Sequence, residues 1–181
     1  MMTTITVTLL TAVLAQTPAP QGVPDRRTQA GSAQATYAGL RGFILKSADK
    51  MPVEHFGFQP TADVRSFGQI LAHIADANHL MCSPGAGVES ANRGIVDKIE
   101  KEKLGRDALI ARLRESFTVC DKAFAALTES NVGETLKFMT TSRPRLALMW
   151  FHISHVFEHY GNLVTYMRLK GIVPPSSESG G

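Results

Sequence analysis

Three histidines, His152, His155 and His159, interrupt the apolar stretch "FHISHVFEHYGNLVTYMRLKG" between Phe151 and Gly171. His155 and His159 stand four residues apart, one turn of helix, so both rings can converge on a single ion. The bonds to zinc would be about 2.0–2.1 Å. An unpartnered buried polar group costs roughly 1–3 kcal/mol, so imidazoles on apolar ground need partners. On its own HxxxH is a weak signal, because two hydrogen-bonded core histidines have the same spacing. An upstream histidine strengthens it. In "FGQILAHIADANHLMC", His73 shares an inward arc with Ile70, Ala77 and Leu80, whereas His79 lies round toward the other side. Packing that segment against the later one would close a metal-ligating set of His73, His155 and His159. His152, three before His155, either takes the place of one of these ligands or supports one from behind.

Other residues near these histidines have two readings each. Asp76, three after His73, can orient that ring by a hydrogen bond, as carboxylates do for metal-bound histidine; otherwise it is a solvated surface acid. Glu158 points about a quarter turn from His159, toward solvent or a partner helix. Met149, Trp150, Phe157 and Met167 are expected in the core, and His55 and His79 on the surface or in loops. Cys82 and Cys120 are too far apart for a zinc knuckle, and each reads otherwise as a small buried hydrophobe. No GxSxG, P-loop, dinucleotide fingerprint or paired-carboxylate motif occurs, so nucleophilic serine catalysis has no support.

The elements that must position the histidines follow from the rest of the chain. At 181 residues it suits one domain with a real core, and 44% hydrophobic with 19% charged residues is ordinary for a globular protein. Net charge is +3, but the densest charged stretch, "DKIEKEK" at Asp97 to Lys103, alternates in sign. A nucleic-acid groove shows as a one-signed patch with aromatics, and none is present. Residues 1–15 hold an apolar stretch too short for a membrane span. It suits the core of a secretory signal with a cut before Gln16, although no Lys or Arg precedes Arg26. The expectation is a signal peptide over 1–15, a disordered linker over 16–30 and an exported protein, periplasmic or extracellular. The alternative is a disordered cytoplasmic tail.

From residue 31 the periodicity is helical throughout. Helix one spans 32–50 and stops before Pro52. Helix two spans 61–82, with Thr61 as N-cap and Val64, Phe67, Leu71, Ile74 and Met81 at helical spacing. The connection over 83–105 is long for a bundle, where about two to eight residues is usual. Helix three covers 106–129, with Leu109, Leu113, Phe117, Cys120, Phe124 and Leu127 on one face. A loop over 131–142 leads to helix four, which starts near Arg143–Pro144 and closes on Gly171 before Pro174–Pro175. The fold class is all-α, a four-helix bundle over 31–177 with a long crossover between helices two and three. Residues 178–181 form a short disordered tail.

The segments "PTADVRSFGQILAHIADANHLMC" and "HISHVFEHYGNLVTYMRLKGIVPPSS" together resemble the DinB-like family of metal-binding four-helix bundles. The family pattern, one histidine on the second helix and HxxxH on the fourth, falls on His73, His155 and His159. The resemblance implies a divalent metal ion, zinc or nickel, with vacant coordination positions, and helices two and three running parallel. Some members are transferases or isomerases that use a small thiol. With helices two and three parallel, Cys82 and Cys120 come to similar heights, and a disulfide between them is expected in an exported protein. An antiparallel pair would hold them about 13 residues of rise apart, roughly 20 Å, far beyond the Cα separation of about 4.4–6.8 Å that a disulfide needs. Two buried thiols are the alternative.

Two function classes follow. The first is a metal-dependent enzyme of hydrolase or transferase type, acting on an unidentified small molecule. The second is a non-enzymatic metal- or ligand-binding protein of the cell envelope. Neither needs nucleic acid or a membrane span, and a homodimer is compatible with both.

Overall fold

A computed structural model of the protein describes residues 22–90 and 97–178. The expected signal peptide, the first part of the linker and most of the tail lie outside the described residues. Helix α1 spans Gln29–Lys50. It buries Ala30, Ala33, Tyr37, Leu40, Ile44 and Ala48 at three- and four-residue intervals, the apolar stripe of an amphipathic helix. The Thr28 side chain caps it by accepting from Gly31 N. At its other end Met51 is extended, as a residue before proline prefers.

Helix α2 is Phe67–Ala86, and its start lies five residues later than expected. Thr61 is not its N-cap; Ser66 is. The Ser66 hydroxyl accepts from Gln69 N while the Gln69 side chain accepts from Ser66 N, a reciprocal capping box. The loop before it holds the start in place, because Phe67 N and Gly68 N donate to Phe58 O and Phe56 O. Val64, expected on the helix face, is accordingly 42% exposed. Gly87, with φ of 66°, ends α2 in the left-handed region that glycine enters without penalty.

The crossover contains a short helix, α3, at Lys98–Glu102, flanked by Asp97 and Lys103 in left-handed conformation. Helix α4 is Arg106–Ala125, four residues shorter than expected. The anticipated loop over 131–142 contains an antiparallel hairpin, β1 at Thr135–Phe138 and β2 at Thr141–Pro144, with Phe138 opposite Thr141. Helix α5 is Arg145–Leu169. Gly171, φ 72°, closes it, with Gly171 N and Ile172 N donating to Arg168 O and Met167 O.

Helix directions follow from the residues that meet. Asn78 meets Ser116 and Cys82 meets Cys120, while a Cβ on Gly68 would touch Leu109 and one on Gly85 would touch Ala123. Positions rise together along both chains, so α2 and α4 run parallel. By contrast Asn78 meets His152 and Gly85 faces Met149, while His73 meets His159, so α2 and α5 run antiparallel. Tyr37 stacks on Phe124, and Asp49 pairs with Arg114, which sets α1 antiparallel to α4. This is a four-helix bundle in which the parallel α2 and α4 are joined by a long connection rather than a short turn.

Helix α2 is the central element: even Asp76, Asn78 and His79 are buried. His79 therefore does not lie on the surface as expected; α4 and the crossover cover that side of α2. Met149 and Met167 are fully buried, but Trp150 and Phe157 are 36% and 40% exposed. Those two rings sit on the outward face of α5, because the inward arc is already filled by Leu148, His152, Val156, Leu163 and Tyr166.

Candidate metal centre

His73 lies on the second turn of α2, and His155 and His159 on adjacent turns of the antiparallel α5. The three rings form a compact triangle with centroid separations of 4.7 Å for His73 and His159, 5.3 Å for His73 and His155, and 4.5 Å for His155 and His159. One ring nitrogen from each lies within 4.8 Å of the others. His155 Nε2 and both nitrogens of His159 are buried with no hydrogen-bond partner among the described residues. Burial, then the neighbouring histidines and Arg65, hold His159 down to about 4. Burial and then His73 act the same way on His155. Both rings are thus neutral at pH 7, the form that ligates a cation. Orphaned imidazole nitrogens on α5, facing the His73 ring of α2, fit a divalent ion, which would satisfy them together.

His73 has an anchor of its own. Its Nδ1 lies 2.8 Å from Asp97 Oδ1 and 3.9 Å from Glu100 Oε2. With Nδ1 engaged by a carboxylate, Nε2 is left for an ion. The role anticipated for Asp76 therefore falls to Asp97. Asp76 is buried and accepts from the backbone N–H groups of Ile99 and Glu100, which fastens the crossover to α2. Arg65 Nε reaches both oxygens of Glu100 at 3.1 Å, and Arg65 Nη2 lies 3.8 Å from Asp97. His73, Asp97 and Glu100 also bring one ligand atom each within 4.8 Å of the others, but there the positive charge beside them is the Arg65 guanidinium. The carboxylates therefore serve His73 and Arg65. Sequence spacing had no means of finding them: Asp97 and Glu100 lie more than twenty residues from His73, inside a stretch that alternates in sign.

His152 stands apart from the triangle. Its Nε2 lies 2.8 Å from Asn78 Oδ1 and 3.5 Å from Cys120 Sγ. Asn78 Nδ2 donates to Ser116 Oγ, which donates to Leu113 O. Cys82 and Cys120 are joined in a disulfide with Cα atoms 4.9 Å apart. His152 thus belongs to a buried polar chain beside the disulfide. Glu158 is exposed, as its angle on the helix implied.

The profile of the DinB superfamily matches residues 38–163. No curated protein matches the chain. Among solved structures, a DinB-like protein from Bacillus cereus is similar with a TM-score of 0.61 at 16% identity, over 79% of this chain and 93% of that one. A DinB-like protein from Bacillus subtilis is similar with a TM-score of 0.56 at 19% identity, over 77% and 92%. The mycothiol-dependent maleylpyruvate isomerase is similar with a TM-score of 0.58 at 16% identity, over 74% of this chain but 60% of its own length. At these identities the likeness establishes a shared fold alone.

Proposed function

The chain belongs to the DinB superfamily, and from that premise we propose that His73, His155 and His159 hold one divalent metal ion, zinc or nickel, in a site open to a small-molecule substrate. The observation that carries this reading is the set of partnerless, buried imidazole nitrogens on His155 and His159 facing His73. Three neutral histidines complete neither the charge nor the four-coordinate shell of such an ion, which is the pattern of reactive rather than structural sites. When bound, the ion supplies Lewis acidity, polarising a carbonyl or lowering the pKa of water toward ~7. The protein's own part is positional. Helices α2 and α5 fix the ring spacing, Asp97 sets the orientation of His73, and the apolar arc around His155 and His159 keeps bulk water from their inner side. The reaction class is metal-dependent hydrolysis or group transfer at an electrophilic centre.

The disulfide bears on the choice between them. Disulfides persist in oxidising compartments and are rare in the cytosol, which supports export and weighs against a cytoplasmic thiol as cosubstrate. A hydrolase of the envelope fits that combination better than a thiol-dependent transferase. The test is elemental analysis of the purified full chain beside the double variant His155→Ala, His159→Ala, followed by a hydrolase and thiol-transferase screen with and without chelator. The reading expects about one divalent ion per chain, lost in the variant, and a chelator-sensitive activity. A variant that binds zinc or nickel as well as wild type overturns the site. A metal-loaded protein inert throughout the screen supports instead a metal-binding protein without catalysis.

A further inference from the structure

Asp97 occupies a backbone conformation that needs a reason. Its φ is 57°, left-handed, in a residue that is not glycine; aspartate tolerates this region better than most, at some cost. It sits at the N-terminus of α3 yet its side chain does not cap that helix. The capping role belongs to Asp76, which reaches across from α2 to accept from Ile99 N at 2.9 Å and Glu100 N at 3.1 Å. The Asp97 carboxylate is instead turned back onto His73 Nδ1. One carboxylate of α2 therefore fastens the crossover, and a carboxylate of the crossover fastens a histidine of α2 one turn before it. Arg65 closes the arrangement by pairing with Glu100, while its own carbonyl accepts from Tyr166 of α5.

We propose that Asp97 is a positioning residue for the metal site. It holds His73 as the tautomer with the proton on Nδ1, with Nε2 turned to the ion, so that metal loading and the folding of the crossover are coupled through Asp76. This rests on the metal-binding reading above. With an ion on Nε2, the His73 Nδ1–H would become a stronger donor to Asp97, and the contact between α3 and α2 would tighten. Conversely, the clamp gives His73 its orientation before the ion arrives and lowers the cost of ordering that ring.

The experiment compares wild type with Asp97→Asn, Asp97→Ala and Asp76→Asn, using zinc alone as the probe. Three quantities are read: the zinc dissociation constant by chelator competition, the ¹⁵N shifts of His73 in metal-free protein, and hydrogen exchange at Ile99 and Glu100 with and without zinc. Asp97→Ala should weaken zinc binding by about 10–100-fold, the usual range for such partners, with Asp97→Asn in between because its amide oxygen still accepts. The Nδ1-protonated tautomer of His73 should give way to a mixture in Asp97→Ala. Zinc should slow exchange at Ile99 and Glu100 in wild type, and that slowing should vanish in Asp97→Ala. Asp76→Asn, which keeps the shape and folds without a buried charge, should lose part of both effects. If Asp97→Ala binds zinc as tightly as wild type and keeps the His73 tautomer, Asp97 positions nothing and the inference is overturned while the metal site stands. If wild type itself binds no zinc or nickel, the metal reading falls first and this inference with it.

Discussion

His152 Nε2 lies 2.8 Å from Asn78 Oδ1 in the interior of the bundle, three residues before a ring of the candidate metal site. His152 is completely buried. The asparagine is held in turn by Ser116, so His152 donates from Nε2 and the chain of bonds ends on the Leu113 carbonyl. A protonated ring here would need a second acceptor at Nδ1, and that atom has no partner among the described residues. The network therefore specifies a neutral imidazole.

This makes stability depend on pH in a defined direction. Burial, reinforced by His155, lowers His152 from 6.5 to about 3. Above 6.5 neither folded nor unfolded chain protonates this ring, and its contribution is fully present. As the pH falls below 6.5 the unfolded chain takes up a proton that the folded one refuses, so stability declines until the folded value is reached. The slope is about 1.4 kcal/mol per pH unit, or about 2 kcal/mol between 6.5 and 5. His79, His155 and His159 are also lowered and add to the decline, so the share of His152 is read by difference. His152→Gln keeps an N–H for Asn78 and cannot titrate. In urea unfolding with chelator present, the variant should be the less stable protein at pH 7.5, with the gap closing by about 2 kcal/mol at pH 5. Parallel curves for the two proteins would refute the assignment.

The disulfide closes a loop of 38 residues in sequence between the parallel helices α2 and α4. Loop-closure entropy for that length is worth roughly 4 kcal/mol, with engineered cases commonly giving less. Both cysteines are fully buried, so reduction requires opening. The double change Cys82→Ala, Cys120→Ala should lower stability by about 2–4 kcal/mol and abolish any difference between melts with and without dithiothreitol. Intact mass of the denatured wild type should rise by two hydrogens on reduction. A mass that does not move means two thiols.

How much of this was legible beforehand depended on the range of the interaction. The histidine pair His155 and His159 is a local pattern, set by 3.6 residues per turn, and His73 joined it because α2 presents one continuous inward arc. Gly171 and Pro52 marked helix ends through backbone constraints that act within two residues. Ser66 and Gln69 carried a legible capping box, but the apolar spacing of Val64 with Phe67 drew the expected helix start outward to Thr61. The hairpin over Thr135–Pro144 is two four-residue strands whose second is exposed throughout, so no alternation announced it. Asp97 was not legible at all. Its contact with His73 depends on a left-handed turn and on Asp76 clamping the crossover, both products of the folded chain. Trp150 and Phe157 show the converse: their types suggest core, yet α5 has more apolar residues than inward positions.

Arg145, the first residue of α5, ties that helix to α2 and to the residue before β1, at the end of the bundle away from the crossover's clamp. Its Nη1 donates to Gly85 O at 2.7 Å, and its Nε and Nη2 donate to Glu134 Oε2 at 3.1 and 2.7 Å. Gly85 is the last buried residue of α2, packed so closely that an added Cβ would run into Met149 and Ala123, so water cannot readily replace the guanidinium there. Glu134 is half exposed, and the ion pair by itself is worth little. The buried carbonyl decides the cost. Arg145→Met should fill most of the space but leave Gly85 O without its charged donor, lowering stability by about 2–3 kcal/mol. Arg145→Lys, able to reach one acceptor at a time, should recover part of that loss. Glu134→Gln should cost well under 1 kcal/mol. The urea midpoints of the three variants check the order, and an Arg145→Met protein as stable as wild type would mean that the Gly85 carbonyl finds another partner.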